Sequence, residues 1–154
     1  LEAPRFEDLT YREEIQPGNI HREEWTWDGV LHSIDDHPSV IIDGGRETQW
    51  HSYGMRHRIG GPAWIKDFGN TVIYYNLGYI HRTDGPAMIT ETDEKWYFND
   101  KLHREDGPAV IRNRDTGVPY EWWWRHRQYS DIDVWAEHAQ IDPQLFLLIK
   151  LEYG

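Results

Sequence analysis

Four histidines recur along this chain, three of them followed directly by arginine. An imidazole beside a guanidinium and a carboxylate could serve general acid–base catalysis or hold a metal. His57-Arg58, His81-Arg82-Thr83-Asp84 and His103-Arg104-Glu105-Asp106 carry the pattern, and His32 opens a weaker copy that lacks the arginine. A catalytic group is needed once per site, yet these groups return once per repeat. Metal ligands must converge to roughly 2 Å from one ion, which a ladder spaced by whole hairpins does not offer. The residues therefore read as structural. The imidazoles are expected to donate a hydrogen bond to the loop backbone or to a nearby aspartate, and Asp84 and Asp106 to cap that loop or pair with arginine. No catalytic residue, metal or cofactor is expected.

The elements that position them follow from the same period. His-Arg-x-Asp-Gly-Pro-Ala occurs at 81–87 and 103–109, with a looser copy, His57-Arg58-Ile59-Gly60-Gly61-Pro62-Ala63. A ring residue stands four positions before a turn position, which stands three before each histidine. The sets are Trp25/Gly29/His32, Trp50/Gly54/His57, Tyr74/Gly78/His81 and Trp96/Asp100/His103, with a degenerate Trp122/His126/Tyr129. The rings step by 25, 24, 22 and 26 residues, a spacing that marks a repeat architecture. Each repeat reads as two short strands, aromatic or β-branched. Ala87-Met88-Ile89-Thr90 runs up, Glu91-Thr92-Asp93-Glu94 turns, and Lys95-Trp96-Tyr97-Phe98 runs down. Asn76-Leu77-Gly78 and Asn99-Asp100-Lys101 make the lower turns, where Asn and Gly supply a left-handed backbone cheaply. Pro108-Ala109-Val110-Ile111, a turn at Asp115-Thr116-Gly117 and a return strand Tyr120–Trp124 form the last unit. The fold class is mainly β: an antiparallel meander of repeated hairpins in a single twisted sheet, with a small C-terminal helical cap.

With 154 residues the chain suffices for one domain with a core. Nine Trp, nine Tyr and four Phe mean that rings must fill much of it. The 27 acidic and 16 basic residues give a net charge of −11. That charge disfavours direct nucleic-acid binding and anionic membranes, and leaves room for a basic partner. Twelve of the basic residues are Arg, suited to ring-stacked, hydrogen-bonded positions. Without cysteine there is no disulfide, cysteine nucleophile or thiolate metal site. No apolar run approaches ~20 residues, so no membrane span is expected. Leu1-Glu2-Ala3-Pro4-Arg5-Phe6 shows no signal-peptide pattern, and a cytoplasmic protein is the expectation.

The pattern aromatic-x-x-x-Gly-x-x-His-Arg-x-Asp-Gly-Pro-Ala-x-Ile, over about Trp25 to Tyr129, resembles the MORN-type repeat. It is similar to the divergent variant seen in bacteriophage and large-virus proteins. The resemblance is strongest over Tyr74–Ala109. Around His32-Ser33-Ile34-Asp35-Asp36-His37-Pro38 there is an extra residue. The resemblance implies hairpins of roughly 23 residues aligned in one long sheet. It also implies protein interaction or scaffolding, plausible for a viral protein that binds a host factor, with no shared catalytic residues. The familiar form has more glycine and lacks Gly-Pro-Ala, so its lipid-binding role does not carry over.

The ends depart from the repeat. Residues 1–24 form an acidic segment or cap containing Glu7-Asp8, Glu13-Glu14 and Glu23-Glu24; residues 25–129 hold the repeats. Within 130–154, Ser130 can cap a helix through Ala139, and Asp142-Pro143 starts a second. Leu145, Phe146, Leu148, Ile149 and Leu151 make that second helix apolar. It either caps the terminal hairpin within one structural domain or forms a homodimer interface.

Functional candidates are the positions that break the template. Trp122-Trp123-Trp124 must alternate between the two faces of a strand. Trp123, Trp124, Arg125, His126 and Arg127 are of the types that dominate binding hot spots. The bland alternative puts Trp122 and Trp124 in the core with Trp123 half exposed. Tyr53, Tyr75, Tyr97 and Trp123 could make an aromatic stripe on the opposite face, a feature that stacks sugars or bases or, more often, serves cross-strand packing. Three function classes stand open. The first is a noncatalytic protein-binding module. The second is an acidic inhibitor mimicking nucleic acid. The third, ranked last, is a His/acid hydrolase using His51, His126 or His138, for which no nucleophile elbow or phosphate loop is present.

Overall fold

A computed structural model describes residues 3–112 and 120–153. The expected turn at Asp115-Thr116-Gly117 lies outside them. The protein is mainly β, a meander of antiparallel hairpins with two helices at the C-terminal end. The chain divides into two compact units, Leu1–Tyr79 and Ile80–Gly154.

In the first unit the strands are β1 (Thr10–Gln16), β2 (Ile20–Trp27), β3 (Val30–Leu31), β4 (Val40–Ile42), β5 (Glu47–Gln49), β6 (His51–Ser52), β7 (Met55–Arg56), β8 (Trp64–Lys66) and β9 (Thr71–Ile73). The sheet order is β1-β2-β4-β5-β8-β9, each neighbour antiparallel, with β3 also on β2 and β6 paired to β7. β10 (Tyr75–Asn76) and β11 (Tyr79–Ile80) follow. In the second unit β12 (Met88–Ile89), β13 (Asp93–Lys95), β16 (Val110–Arg112), β17 (Tyr120–Trp124) and β18 (Arg127–Tyr129) lie in that order, antiparallel throughout. β14 (Tyr97–Phe98) and β15 (Lys101–Leu102) pair as a small hairpin. α1 (Ile132–Ala139) and α2 (Pro143–Tyr153) close the chain.

The three middle repeats split their return strand in two, at Trp50, Tyr74 and Trp96, while β2 and β17 run unbroken through Trp25 and Trp122. Trp96 is the pivot: its N–H donates to Ala109 O at 2.8 Å, and its carbonyl accepts His103 N–H at 3.1 Å. Trp50 does the same with Ala63 and His57, at 2.9 and 3.1 Å. Above the pivot the strand belongs to the sheet. Below it the chain forms a two-residue hairpin. Both turn residues have positive φ at Tyr53-Gly54 (49° and 81°), Asn99-Asp100 (49° and 62°) and Arg125-His126 (48° and 70°). That is the turn whose twist matches the flanking strands. Because Ala63, Ala87 and Ala109 are wholly buried, the repeat demands a small residue there.

Two local expectations need correction. The upper turn of the 88–95 hairpin ends before Asp93, because the Thr90 hydroxyl accepts Asp93 N–H at 2.9 Å and pulls the turn tight. And α1 is capped by Asp131, not Ser130. Asp131 Oδ1 accepts the amides of Asp133 (2.8 Å) and Val134 (3.1 Å), where a carboxylate also meets the positive helix end.

Residues 10–27 are themselves a seven-rung hairpin, Thr10↔Thr26 to Gln16↔Ile20. At the other end the helices cap β17 and β18. Trp122, Tyr129, Trp135, Ala136 and Ile149 form a buried cluster, with Trp124, Phe146 and Tyr153 packed against it. Trp122 and Trp135 rings lie 4.8 Å apart. Among the described residues no helix is long and apolar enough to cross a membrane.

Candidate interaction surface

The repeat histidines each perform one task. Nδ1 of His32 accepts the N–H of Tyr53 at 3.1 Å, His57 that of Leu77 at 3.4 Å, His81 that of Asn99 at 3.3 Å, and His103 that of Arg125 at 3.2 Å. Every donor is the first left-handed residue of the next hairpin tip, with φ between 46° and 49°. The tip amide has no partner within its own turn, so the preceding imidazole satisfies it. The imidazole accepts and does not donate, which fixes the proton on Nε2. The second tip residue donates to backbone: Gly54 to Leu31 O and Gly78 to Arg56 O, both at 2.8 Å, and Asp100 to Ile80 O at 2.9 Å.

The arginines brace the loops. Arg104 lies 4.1 Å from the Trp96 ring centroid and Arg58 3.8 Å from that of Trp50. Arg82 Nε donates to Asp84 at 2.8 Å and Arg104 Nε to Asp106 at 2.7 Å; their Nη1 groups reach Pro86 O and Pro108 O, each at 3.3 Å. In the copy where Gly60 replaces the aspartate, Arg58 forms a two-point contact with Asp36, 2.7 Å at both oxygens. Gly60 offers no carboxylate, and the preceding loop supplies that of Asp36 instead. Arg82 holds Asp84 below the usual carboxylate range, and Arg58 does the same for Asp36.

Two template breaks in the first unit occur together. Ser39 stands where other repeats have alanine, and His51 where they have Tyr75, Tyr97 and Trp123. Ser39 Oγ and His51 Nδ1 are 2.8 Å apart, with Ser39 fully buried and His51 5% exposed. Burial, helped by Arg56 and Arg22, pushes His51 down to about 4. A Ser–His pair suggests acyl transfer, but a serine without solvent access meets no substrate; the pair packs the sheet. Among the described residues, no three or more His, Asp or Glu gather as a metal site. His126 and His138 are exposed, and His138 Nδ1 lies 2.9 Å from Val134 O.

What the repeat leaves uncommitted collects in the second unit. A groove of about 980 Å³ is lined by Tyr97, Phe98, Lys101, His103, Arg104 and Arg125, among others. Two of its lining rings, Phe98 and His103, belong to an aromatic ladder. Phe98 lies 4.7 Å from His81 and 6.1 Å from His103, and His103 lies 6.3 Å from Trp124, under Arg125 at 4.4 Å. Phe98 is 48% exposed. Lys101, Arg125 and Arg127 are exposed and have no ion-pair partner among the described residues. Asp84, Glu105 and Asp106 at the rim face Arg82, His103 and Arg104.

Of the binding candidates, Tyr97 and Arg125 line this groove; Trp124, His126 and Arg127 are chain neighbours of Arg125 that do not line it. Trp123 is half-buried, its indole N–H donating to Glu121 at 2.8 Å. Tyr97 is half-buried, and burial raises its pKa, with Asp100 and Glu121 adding to the effect. Tyr75 packs near Arg56, at 5.6 Å. Tyr53 does not share their register: it is a hairpin-tip residue, against His32 at 4.6 Å and Trp27 at 5.5 Å. Phe98 and Lys101 escaped the sequence reading. A signal existed: Trp27, Phe98 and Trp124 all stand two positions after their repeat ring.

No family model, curated protein or solved structure matches the chain.

Proposed function

We propose that this protein is a noncatalytic protein-interaction module of MORN-like hairpin repeats, and that the Phe98 groove is its contact surface. The observation that carries the reading is the division of labour among the repeat residues. The imidazoles, guanidiniums and carboxylates that could do chemistry are spent on bracing tips and loops. Exposed ring and cation groups remain along one groove. Rings and arginines flanked by satisfied polar groups are what a binding hot spot requires. The −11 charge by itself suits a basic partner; Lys101 and Arg125, exposed and without an ion-pair partner among the described residues, favour direct contact at this groove over whole-surface mimicry of nucleic acid. A partner that is a host factor of a virus fits the family resemblance.

The test is affinity capture with the native chain and with Phe98→Ala/Arg125→Glu, each shown folded by near-UV circular dichroism. A partner identified with the native chain should be lost from the double variant. Retention at undiminished yield would contradict the assignment.

A further inference from the structure

The Phe98 groove carries a charge that the repeat does not require. Two positions of each hairpin tip decide it: the first left-handed residue, and the residue after the second. In the first unit Tyr53 and Met55 stand there, then Leu77 and Tyr79, all exposed. The fold therefore accepts uncharged side chains at both positions. In the second unit Arg125 takes the first position and Lys101 the second, exposed and with no ion-pair partner among the described residues. Lys101 pairs with Phe98 across the β14–β15 hairpin, which puts both side chains on one face. The Arg125 amide donates to His103 Nδ1 at 3.2 Å, and its guanidinium lies 4.4 Å from the Trp124 ring. Phe98, His103 and Trp124 form a row with steps of 6.1 and 6.3 Å. A cation thus stands at each end of a row of rings.

The rim carboxylates, unlike these cations, are committed. Asp84 is held by Arg82 at 2.8 Å and Asp106 by Arg104 at 2.7 Å, and His103 Nε2 stands 3.4 Å from Glu105. The charge left for a ligand is positive, opposite in sign to the chain as a whole. On the reading that this groove is the contact surface, we propose that its ligand is an extended acidic segment of a partner protein. One large apolar side chain lies on the Phe98 and His103 rings, between two carboxylates met by Lys101 and Arg125. Such charge-assisted hydrogen bonds are the stronger kind. The two ring steps span on the order of 12 Å, about four residues of extended chain, which sets the spacing of the acids. A nucleic-acid strand fits less well. Its phosphates recur at every nucleotide, and Asp84, Glu105 and Asp106 would face some of them. A protein segment places acids only where the cations stand. The −11 of the whole chain opposes an acidic segment at long range. At physiological salt, however, a charge acts over about 8 Å, so the contacts within the groove decide.

A synthetic peptide array incubated with the full chain tests this. Two positions four residues apart carry Glu, Lys or Ser at both, and a position between them carries Phe, Tyr, Trp, Leu or Gly in turn. Glu frames with a large apolar centre should retain the chain at least about tenfold better than Ser or Lys frames. Lys101→Met/Arg125→Leu, which installs the residues found at 55 and 77, should erase that preference while near-UV circular dichroism stays native. Lys101→Glu/Arg125→Glu should turn the preference to Lys frames. Retention of no frame by the native chain, or its preference for Lys or Ser frames, would overturn the proposal. Retention without charge preference that Phe98→Ala abolishes would leave the groove as contact surface and remove its acidic ligand. Glu-frame retention that survives both Phe98→Ala and Lys101→Met/Arg125→Leu would put the ligand elsewhere, and the groove would fall with it.

Discussion

A Cβ built on Gly107 would stand 2.8 Å from the Cζ of Arg104. The same distance is 3.0 Å for Gly85 and Arg82, and 3.2 Å for Gly61 and Arg58. None of these glycines has a positive φ. The glycine of Gly-Pro-Ala is there for space: it gives the guanidinium a slot, closed for Arg58 and Arg104 by the repeat tryptophan.

Alanine at these three positions should therefore destabilise in the order Gly107, Gly85, Gly61. Overpacking of about 1–3 kcal/mol is the expected scale at the tightest site. Denaturant unfolding of the three variants measures it. Equal gains at all three would mean that the entropy of the unfolded chain, and not the slot, governs the position.

Asp36 and Gly60 make a second linked pair. Asp36→Asn should loosen Arg58, with a loss of about 1 kcal/mol for a partly exposed two-point contact. In Arg58→Lys that loss should largely vanish, because an ammonium cannot make the fork. A double-mutant cycle by thermal unfolding reads the coupling. Gly60→Asp should not rescue Asp36→Asn, because position 60 has φ 77°, whereas Asp84 and Asp106, which serve the arginines of the other copies, do not have a positive φ.

The pH dependence of the first unit has a definite sign. Burial lowers His51 to about 4 and also lowers His32. The unfolded chain then binds more protons than the folded one below pH ~6.5. Stability is complete above that value and is lost as pH falls towards 4, by up to roughly 3 kcal/mol for His51. His21 works the other way. Its hydrogen bond to Glu13, 2.6 Å long, raises its pKa, so its small contribution is present below pH ~6.5 and lost above its folded pKa. His51→Gln should flatten the acid limb of a stability–pH curve, and His21→Gln should leave that limb in place. An unchanged acid limb in His51→Gln would remove His51 from the account.

The periodic part of this structure was legible in the sequence. Ring, turn and histidine positions mark the pivots, tips and tip acceptors because each repeat needs one of each. The return strand Tyr120–Trp124 and the burial of Trp122 followed from alternation. What escaped depends on contacts that the period does not encode. Asp36 serves an arginine twenty-two residues away. Thr90 tightens a turn through its hydroxyl, and Asp131 displaces Ser130 as cap because its carboxylate reaches two amides. Tyr53 looked like Tyr75 and Tyr97 by type, but its place after the pivot puts it in the tip. The imidazoles accept where donation was expected, because their partners are left-handed tip amides of the following hairpin, a pairing that the period does not encode.

The central claim is that four imidazoles each hold the next hairpin by accepting its tip amide at Nδ1. Long-range ¹H–¹⁵N correlation of the histidine rings tests it most directly. The account predicts the Nε2–H tautomer at His32, His57, His81 and His103, with couplings across the hydrogen bonds to the amides of Tyr53, Leu77, Asn99 and Arg125. Protons on Nδ1 at these rings, or mixed tautomers without such couplings, would contradict it.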